Sequence, residues 1–230
     1  MALSARKISL AAQRADWARF MAWLDEHALA NWIFRGHSRT GYTLVPKIGR
    51  DRRRYSTARE ERVFRNFRRR APAVAAIGDL DVWDLLALGQ HHGVPTRLLD
   101  WTTSGLIGAH FAVSNRSHDA HDAHLIAWRL KDSDVVDQDP NIHPFTVAGV
   151  KFLFPRTVAQ RIVTQRGLFS IHADPTLALA GADRGSQTYL YDHRRCKALL
   201  SKEAILPRDR PSACDGWTRW TVGDARLAIR

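Results

Sequence analysis

The chain has 230 residues, 45% of them hydrophobic and 25% charged, which excludes a disordered or fibrous protein and suits one domain or one domain with an appendage. Charged residues interrupt residues 1–30, and no apolar run approaches about 18 residues, so we expect a cytoplasmic protein without a secretory signal or a membrane span. The two cysteines, Cys196 and Cys214, are too few for a disulfide framework and have no zinc-binding spacing.

The periodicity of apolar residues predicts helices and strands in an irregular order. Helices are expected over residues 10–29, 60–76, 81–88 and 104–113. Strands are expected over residues 31–34, 97–101, 124–130 and 151–154, with loops over 37–57 and 115–124. There is no regular strand-helix-strand rhythm and no glycine-rich phosphate loop. The order therefore favours an α+β fold, a single compact domain whose central mixed or antiparallel sheet is flanked by helices.

Positive charge is concentrated in one stretch of a chain whose net charge is +12. Residues 50–70 carry ten arginines against Asp51, Glu60 and Glu61. Because arginine makes bidentate contacts with phosphate, the stretch predicts a polyanion partner such as a nucleic acid. The candidate contacts are Arg52, Arg53, Arg54, Arg62, Arg65 and Arg69. The alternative is a solvated helix face in a genome that prefers arginine codons, which explains the arginine count more easily than the clustering.

Two further stretches contain polar residues that a regular helix or strand does not explain. In residues 32–37 an apolar run ends at Arg35, which is followed by Gly36. Residues 90–102 hold two adjacent histidines, a Gly, a Pro and an Arg-Asp pair, and fit neither helix nor strand cleanly. A high density of polar side chains beside Gly and Pro indicates a loop with a defined conformation and a functional role.

These two stretches resemble the FRG domain, a bacterial family named for the triplet found here at residues 34–36. The resemblance is close over residues 90–101 and covers roughly residues 10–175. It continues through residues 109–112, 161–162, 165–169 and His172. On this basis the chain divides into an N-terminal helical segment (1–30), an FRG domain (31–195) and a C-terminal segment without a clear pattern (196–230).

The FRG pattern is in turn distantly similar to ADP-ribosyltransferases, which implies a fold of that kind and NAD as the cofactor. In that family an aromatic-Arg-Gly triplet on the first core strand holds the NAD phosphates and ribose. The resemblance assigns this role to Arg35, Gly36 and His37. It also places hydroxyls beside the nicotinamide ribose, at positions matched by Thr96, Thr102, Thr103 and Ser104. The alternatives are that Arg35 pairs with a buried carboxylate such as Asp100, and that the hydroxyls cap the following helix.

Gln165 stands where a transferase carries its catalytic glutamate, and His172 is close enough in sequence to share that site. A neutral amide cannot stabilise positive charge on the sugar as a carboxylate does. Catalysis therefore differs, or another acid such as Glu203 or Asp174 serves, or the domain binds a nucleotide without cleaving it. His91 and His92 are further catalytic candidates, although one of such a pair is often a structural donor.

Arg97, Asp100 and Trp101 are predicted to be structural. Asp100 is expected to pair with Arg97 or Arg35, with both charges partly buried. No metal is expected, because the candidate ligands fit no common zinc spacing. Those candidates are His91, His92, His37, His121, Asp122 and His124.

The sequence therefore predicts an ADP-ribosyltransferase-like enzyme of the toxin or anti-phage effector type. It would use NAD, modify a nucleic acid or an associated protein, and have an antitoxin or immunity partner. A non-catalytic nucleotide- or nucleic-acid-binding module is the main alternative. A nuclease with His91 or His92 as general base is the third.

Overall fold

A computed structural model describes residues 9–28, 31–73, 78, 80–118, 121–136, 142–155, 166–179 and 187–191. Its helices are α1 (Leu10–Glu26), α2 (Thr57–Arg70), α3 (Val82–His91) and α4 (Gly105–Val113). Its strands are β1 (Trp32–His37), β2 (Leu98–Thr102), β3 (Ala123–Arg129), β4 (Val150–Leu153), β5 (Gly167–His172) and β6 (Gln187–Tyr191). The chain divides into unit 1 (residues 1–42, 104–128 and 186–230) and unit 2 (residues 43–103 and 129–185).

The predicted α+β class is confirmed, with antiparallel strand pairs and helices in both units. Every predicted helix and strand is present, although the helix predicted over residues 60–76 begins at Thr57 and ends at Arg70. Strands β5 and β6 were not predicted. In β5 the five residues after Gly167 are all buried, so the strand shows no alternation of polar and apolar residues. In the part of the chain that the structure describes, no helix has the length and apolar character needed to cross a membrane.

Unit 2 contains a three-stranded antiparallel sheet in the order β4-β5-β2. In β2 and β5, Leu98 lies opposite Ile171 and Thr102 opposite Gly167. Helices α2 and α3 contribute to the core of this unit. Asp81 is the N-cap of α3, and its carboxylate accepts hydrogen bonds from two backbone amides. The principal core side chains are Phe64, Trp83, Leu85, Leu86, Leu98, Leu153, Phe169 and Ile171.

Unit 1 packs α1 and α4 with strands β1 and β3, and β3 pairs with β6. The core contains Phe20 of α1, Phe34 of β1, Ala109 of α4 and Leu125 of β3. The N-terminal helix therefore shares its core with the strand that carries Arg35. Ser9 is the N-cap of α1, because its hydroxyl accepts a hydrogen bond from the amide of Ala12 at 3.2 Å.

Strand β1 and helix α4 approach each other at Gly36. A Cβ atom at this position would overlap the carbonyl oxygen of Gly108 and lie 2.5 Å from the backbone nitrogen of Ala112. The absence of a side chain at Gly36 therefore allows the close approach of helix α4 to β1. A ligand-binding role for Gly36 stays a prediction.

A buried ion pair connects α2 to β2 in unit 2. Arg97 donates from Nε to Oε1 of Glu60 at 3.0 Å and from Nη2 to Oε2 at 2.7 Å, and both side chains are about 2% exposed. The guanidinium also lies 4.5 Å from the ring centroid of Phe145. Burial, reinforced by the Glu60 charge, raises the pKa of Tyr55, whose protonated hydroxyl donates to Glu60 at 3.2 Å.

Asp100 was predicted to pair with Arg97 or Arg35, and the first alternative is wrong. The carboxylate partner of Arg97 is Glu60 on the arginine-rich helix, not Asp100 three residues away. A contact between Asp100 and Arg35 stays a prediction. Asp100 lies at an exposed position and accepts a hydrogen bond from Nε2 of Gln90 at 3.0 Å. Arg97 is buried and lies just before β2, whereas Asp100 is the exposed residue in the middle of that strand.

Replacing Gly36 by Ala should destabilise the protein by on the order of 1–3 kcal/mol or more, because the backbone atoms of α4 cannot yield as a side chain would. Gly41→Ala is the matched control, since a Cβ there meets no atom within 4 Å. Urea unfolding of the two variants measures the difference. Equal midpoints for the two variants would contradict the packing role.

Glu60→Gln should cost about 3–5 kcal/mol of unfolding free energy, because it leaves the buried Arg97 charge unpaired. Asp100→Asn makes the same chemical change at an exposed position and should cost clearly less. Guanidinium unfolding of both variants tests the assignment. If Glu60→Gln does not fold, the Glu60→Met/Arg97→Met double variant should restore folding. If Asp100→Asn and Glu60→Gln lose the same amount of unfolding free energy, the assignment of Glu60 as the buried partner of Arg97 is overturned.

Candidate functional site

Strand β1 places Arg35 and His37 on one face and the residues between and before them on the other. Phe34 enters the unit 1 core and Gly36 lies against α4. Because successive strand residues alternate, Arg35 and His37 point away from α4. Arg35 is half-buried and lies inside the strand, not at its end as predicted.

A line of hydrogen bonds starts at Arg35. Its Nε donates to Nε2 of His37 at 3.0 Å, and Nδ1 of His37 lies 3.1 Å from Nε2 of His124. An arginine can only donate, so Nε2 of His37 carries no proton and a neutral ring holds its proton on Nδ1. That proton is then donated to His124. The geometry thus assigns the tautomer of His37 and fixes the plane of the Arg35 guanidinium.

The neutral form of His124 is favoured by its surroundings. Burial lowers the pKa of His124. Protonation of His37 would replace the acceptor of the Arg35 hydrogen bond by a donor next to a positive charge. The Arg35 hydrogen bond therefore uses the unprotonated Nε2 of His37. A positive charge held in a fixed plane on a strand is suited to a phosphate or carboxylate group.

A second polar group in unit 1 was not predicted from the sequence. The hydroxyl of the buried Ser38 lies 2.7 Å from Nδ1 of His118, and Nε2 of His118 lies 3.3 Å from the Tyr42 hydroxyl. The backbone amide of Thr40 donates to the carbonyl of Asp122 at 3.0 Å. These bonds attach the segments that contain His118 and Asp122 to the residues that follow β1. Ser38 and His118 are 80 residues apart, and neither has a spacing that would have revealed the pair.

Four of the residues considered as metal ligands lie near this group: His37, His121, Asp122 and His124. Within the described residues, no three His, Cys, Asp or Glu side chains converge as a metal site would require. His37 and His124 instead bond each other. The contacts of these two residues are those of a hydrogen-bonded pair.

The polar block over residues 90–102 is a loop only over residues 92–97, and its last residues form β2, in agreement with the strand predicted over residues 97–101. Gln90 and His91 end α3, and β2 begins at Leu98. Gly93 has a positive φ of 79°, which explains a glycine at the turn between them. His92 is exposed, and its ring lies 5.2 Å from that of His91 in an edge arrangement. Catalytic roles for the two histidines stay predictions.

Gln90 organises the polar residues of this turn. Its Oε1 accepts from the hydroxyl of the buried Thr96 at 2.6 Å while its Nε2 donates to Asp100. Thr96 also accepts from the amide of Leu98 at 3.1 Å. The network joins the end of α3 to the start of β2, and it gives Thr96 a structural role that the sequence did not reveal.

The other hydroxyls assigned to the nucleotide occupy distinct positions. Thr102 is buried at the end of β2, and the Thr103 amide donates to the carbonyl of Arg166 at 3.1 Å. Ser104 is the N-cap of α4, since its hydroxyl accepts a hydrogen bond from the amide of Ile107 at 3.4 Å. The capping alternative is therefore confirmed for Ser104.

The residues predicted to act on the sugar are only partly described. Gln165 and Glu203 lie outside the described residues. His172 is 1% exposed in β5, with Nε2 3.1 Å from the hydroxyl of Ser170. The hydroxyl and amide of Thr176 hold the pKa of Asp174 below its usual range, so this carboxylate is ionised near neutral pH. Trp101, predicted to be structural, is buried and donates to Ser170 at 3.0 Å.

All ten arginines of residues 50–70 are exposed, and we call them the arginine surface. Six of them lie on α2 and four precede it. They are Arg50, Arg52, Arg53, Arg54, Arg59, Arg62, Arg65, Arg68, Arg69 and Arg70. Helix α2 is shorter than predicted, because its last regular residue is Arg70 and a 3₁₀ turn containing Pro72 follows.

A family model described as FRG domain matches residues 30–121 of the chain. The match includes Arg35, Gly36, His37 and the 90–102 block. It ends before His124, Gln165 and His172, so it does not bear on those positions. No curated protein and no solved structure matches the chain.

The burial of His124 should make stability depend on pH. Its pKa is lower in the folded protein than in the unfolded chain, so the unfolded chain binds the proton first. Unfolding free energy should therefore fall as pH drops below about 6.5 and level off below the folded pKa. His124→Gln, whose amide oxygen can still accept from His37, should reduce this fall. His92→Gln, which removes a histidine at an exposed position, is the matched control. A His124→Gln profile that matches the wild type between pH 7 and 5 would contradict the assignment.

Proposed function

We propose, from the premise that this chain carries an FRG domain, that it binds NAD through Arg35 and acts as an ADP-ribosyltransferase-like enzyme. The observation that supports the proposal best is the line from Arg35 through His37 to His124. It holds a permanent positive charge in a fixed plane on the strand that carries the family triplet. A fixed guanidinium loses little conformational entropy when it binds a phosphate.

The residues present suit such a ligand. Arg35 would bind the phosphates, and His37 would position Arg35 without adding a competing charge. When bound, NAD supplies an ADP-ribosyl group that leaves nicotinamide for an acceptor. Gln165 is proposed to hold the ribose, on the resemblance alone. Because Ser104 caps a helix, we expect its substitution to affect stability more than NAD binding.

The proposed acceptor is a nucleic acid or a protein bound to one, and the arginine surface supports this choice. An enzyme of this type would be harmful to the cell that makes it. The proposal therefore includes a toxin or anti-phage role and an antitoxin or immunity partner. The second candidate function is a nucleotide-binding module without chemistry. It is favoured by the neutral amide at Gln165, which cannot replace a catalytic carboxylate.

Arg35→Ala should weaken NAD binding by about 10- to 100-fold, which corresponds to the roughly 1.5–3 kcal/mol of a charged hydrogen bond. Arg35→Lys keeps the charge without the planar fork and should recover only part of the loss. Arg14→Ala, which removes an exposed arginine of α1, is the control. Calorimetry at millimolar NAD measures binding, and thermal melting verifies that each variant is folded.

Mass spectrometry of nicotinamide release separates the two candidates. Release that is lost in Arg35→Ala and altered in Gln165→Glu would support the enzyme. Binding without release, with or without added nucleic acid, would leave the binding module. Absence of NAD binding by the wild-type chain would remove both forms of the NAD proposal.

A further inference from the structure

Helix α2 has two chemically opposite faces. Glu60 and Phe64 are buried on one side, with Phe67 partly buried beside them. At 3.6 residues per turn, Arg62 and Arg69 lie near the centre of the other side. The side chains of Arg59 and Arg65 then lie about 60° to either side of that centre. The exposed face is thus broad and cationic, and its arginines extend over about 16 Å from Arg59 to Arg70.

Carboxylates neutralise little of this charge. Glu60 is turned inward to Arg97, and the exposed pair Arg54–Asp51 has a separation of 3.3 Å. Among the described residues, no carboxylate forms an ion pair with Arg62, Arg65 or Arg69. Arg59 instead donates to the carbonyl of Arg54 at 3.0 Å, which links α2 to the arginines that precede it.

We propose that α2 binds duplex DNA, with its exposed face along the major groove and the arginine surface on the flanking phosphates. The major groove of B-form DNA is about 12 Å wide and admits an α-helix. The arginines at the flanks of the face can then reach the two phosphate backbones that border the groove. The length of the cationic face equals the rise of roughly five base pairs.

Other polyanions fit this face less well. The aromatic residues of α2, Phe64 and Phe67, turn inward, so the face lacks the stacking platform that single-strand binders use. The deep, narrow major groove of A-form RNA excludes a helix. A membrane-surface helix would expose apolar residues beside its cations, whereas this face exposes arginines. The inference specifies the partner of the proposed function, but its evidence does not involve Arg35 or NAD.

The test measures DNA binding by fluorescence anisotropy without NAD, using the full chain and a 20-base-pair duplex over a range of salt concentrations. A triple variant replaces Arg62, Arg65 and Arg69 by Gln, which keeps helix propensity. The matched control replaces three exposed arginines elsewhere by Gln, with the same loss of net charge. They are Arg14, Arg19 and Arg129.

The α2 variant should bind at least tenfold more weakly, and its log-log salt dependence should be flatter by about 0.9 for each phosphate contact that is lost. The control should remain within about twofold of the wild type, and so should Arg35→Ala. Equal weakening in the two triple variants would show a bulk charge effect and overturn the proposal. Tighter binding to single-stranded DNA, duplex RNA or phosphatidylserine vesicles would overturn it as well. Loss of NAD binding in Arg35→Ala with unchanged DNA affinity would show that the two proposals stand separately.

Discussion

The ion pair between Glu60 and Arg97 determines how α2 is placed in unit 2. Two buried charges are costly to remove from water and are tolerated only when their hydrogen bonds are satisfied. Here the bidentate contact, the Tyr55 hydroxyl and the face of Phe145 surround both groups. The pair fixes the rotation of α2 about its axis, because Glu60 must face β2. Arg62 and Arg69, which lie on the opposite side of the helix from Glu60, then face solvent.

Unit 1 depends on a different constraint, the absence of a side chain at Gly36. Helix α4 comes close enough to β1 that its backbone replaces a Cβ atom. This contact determines which face of β1 is covered, and strand alternation places Arg35 and His37 on the opposite face. The family triplet therefore combines two physical requirements on adjacent residues. Gly36 seats the strand on a helix, and Arg35 presents a charge whose plane His37 fixes.

Local periodicity predicted the four helices and four of the six described strands, and it gave no information on contacts between residues that are distant in sequence. The helices and four of the strands follow from apolar spacing, but β5 is buried on both faces and gave no alternating signal. Arg97 was predicted to be structural, and it is buried in an ion pair with Glu60. Its partner was not found, because Glu60 looks like an ordinary charge on an arginine-rich helix. In the same way the sequence identified Arg35 but not its bond to His37, and the Ser38–His118 contact spans 80 residues without a motif.

Arginine is the most informative residue type of this chain because it occurs in three environments. Arg97 is buried and neutralised, so its charge contributes to stability and is hidden from any ligand. The arginine surface is exposed, which favours a polyanion whose counterions are released on binding. Arg35 is half-buried, and its Nε donates to Nε2 of His37. A charge in such a place is screened less by water than a surface charge, yet solvent still reaches it. That combination favours recognition of a small anionic ligand, and it distinguishes Arg35 from the more numerous arginines of α2.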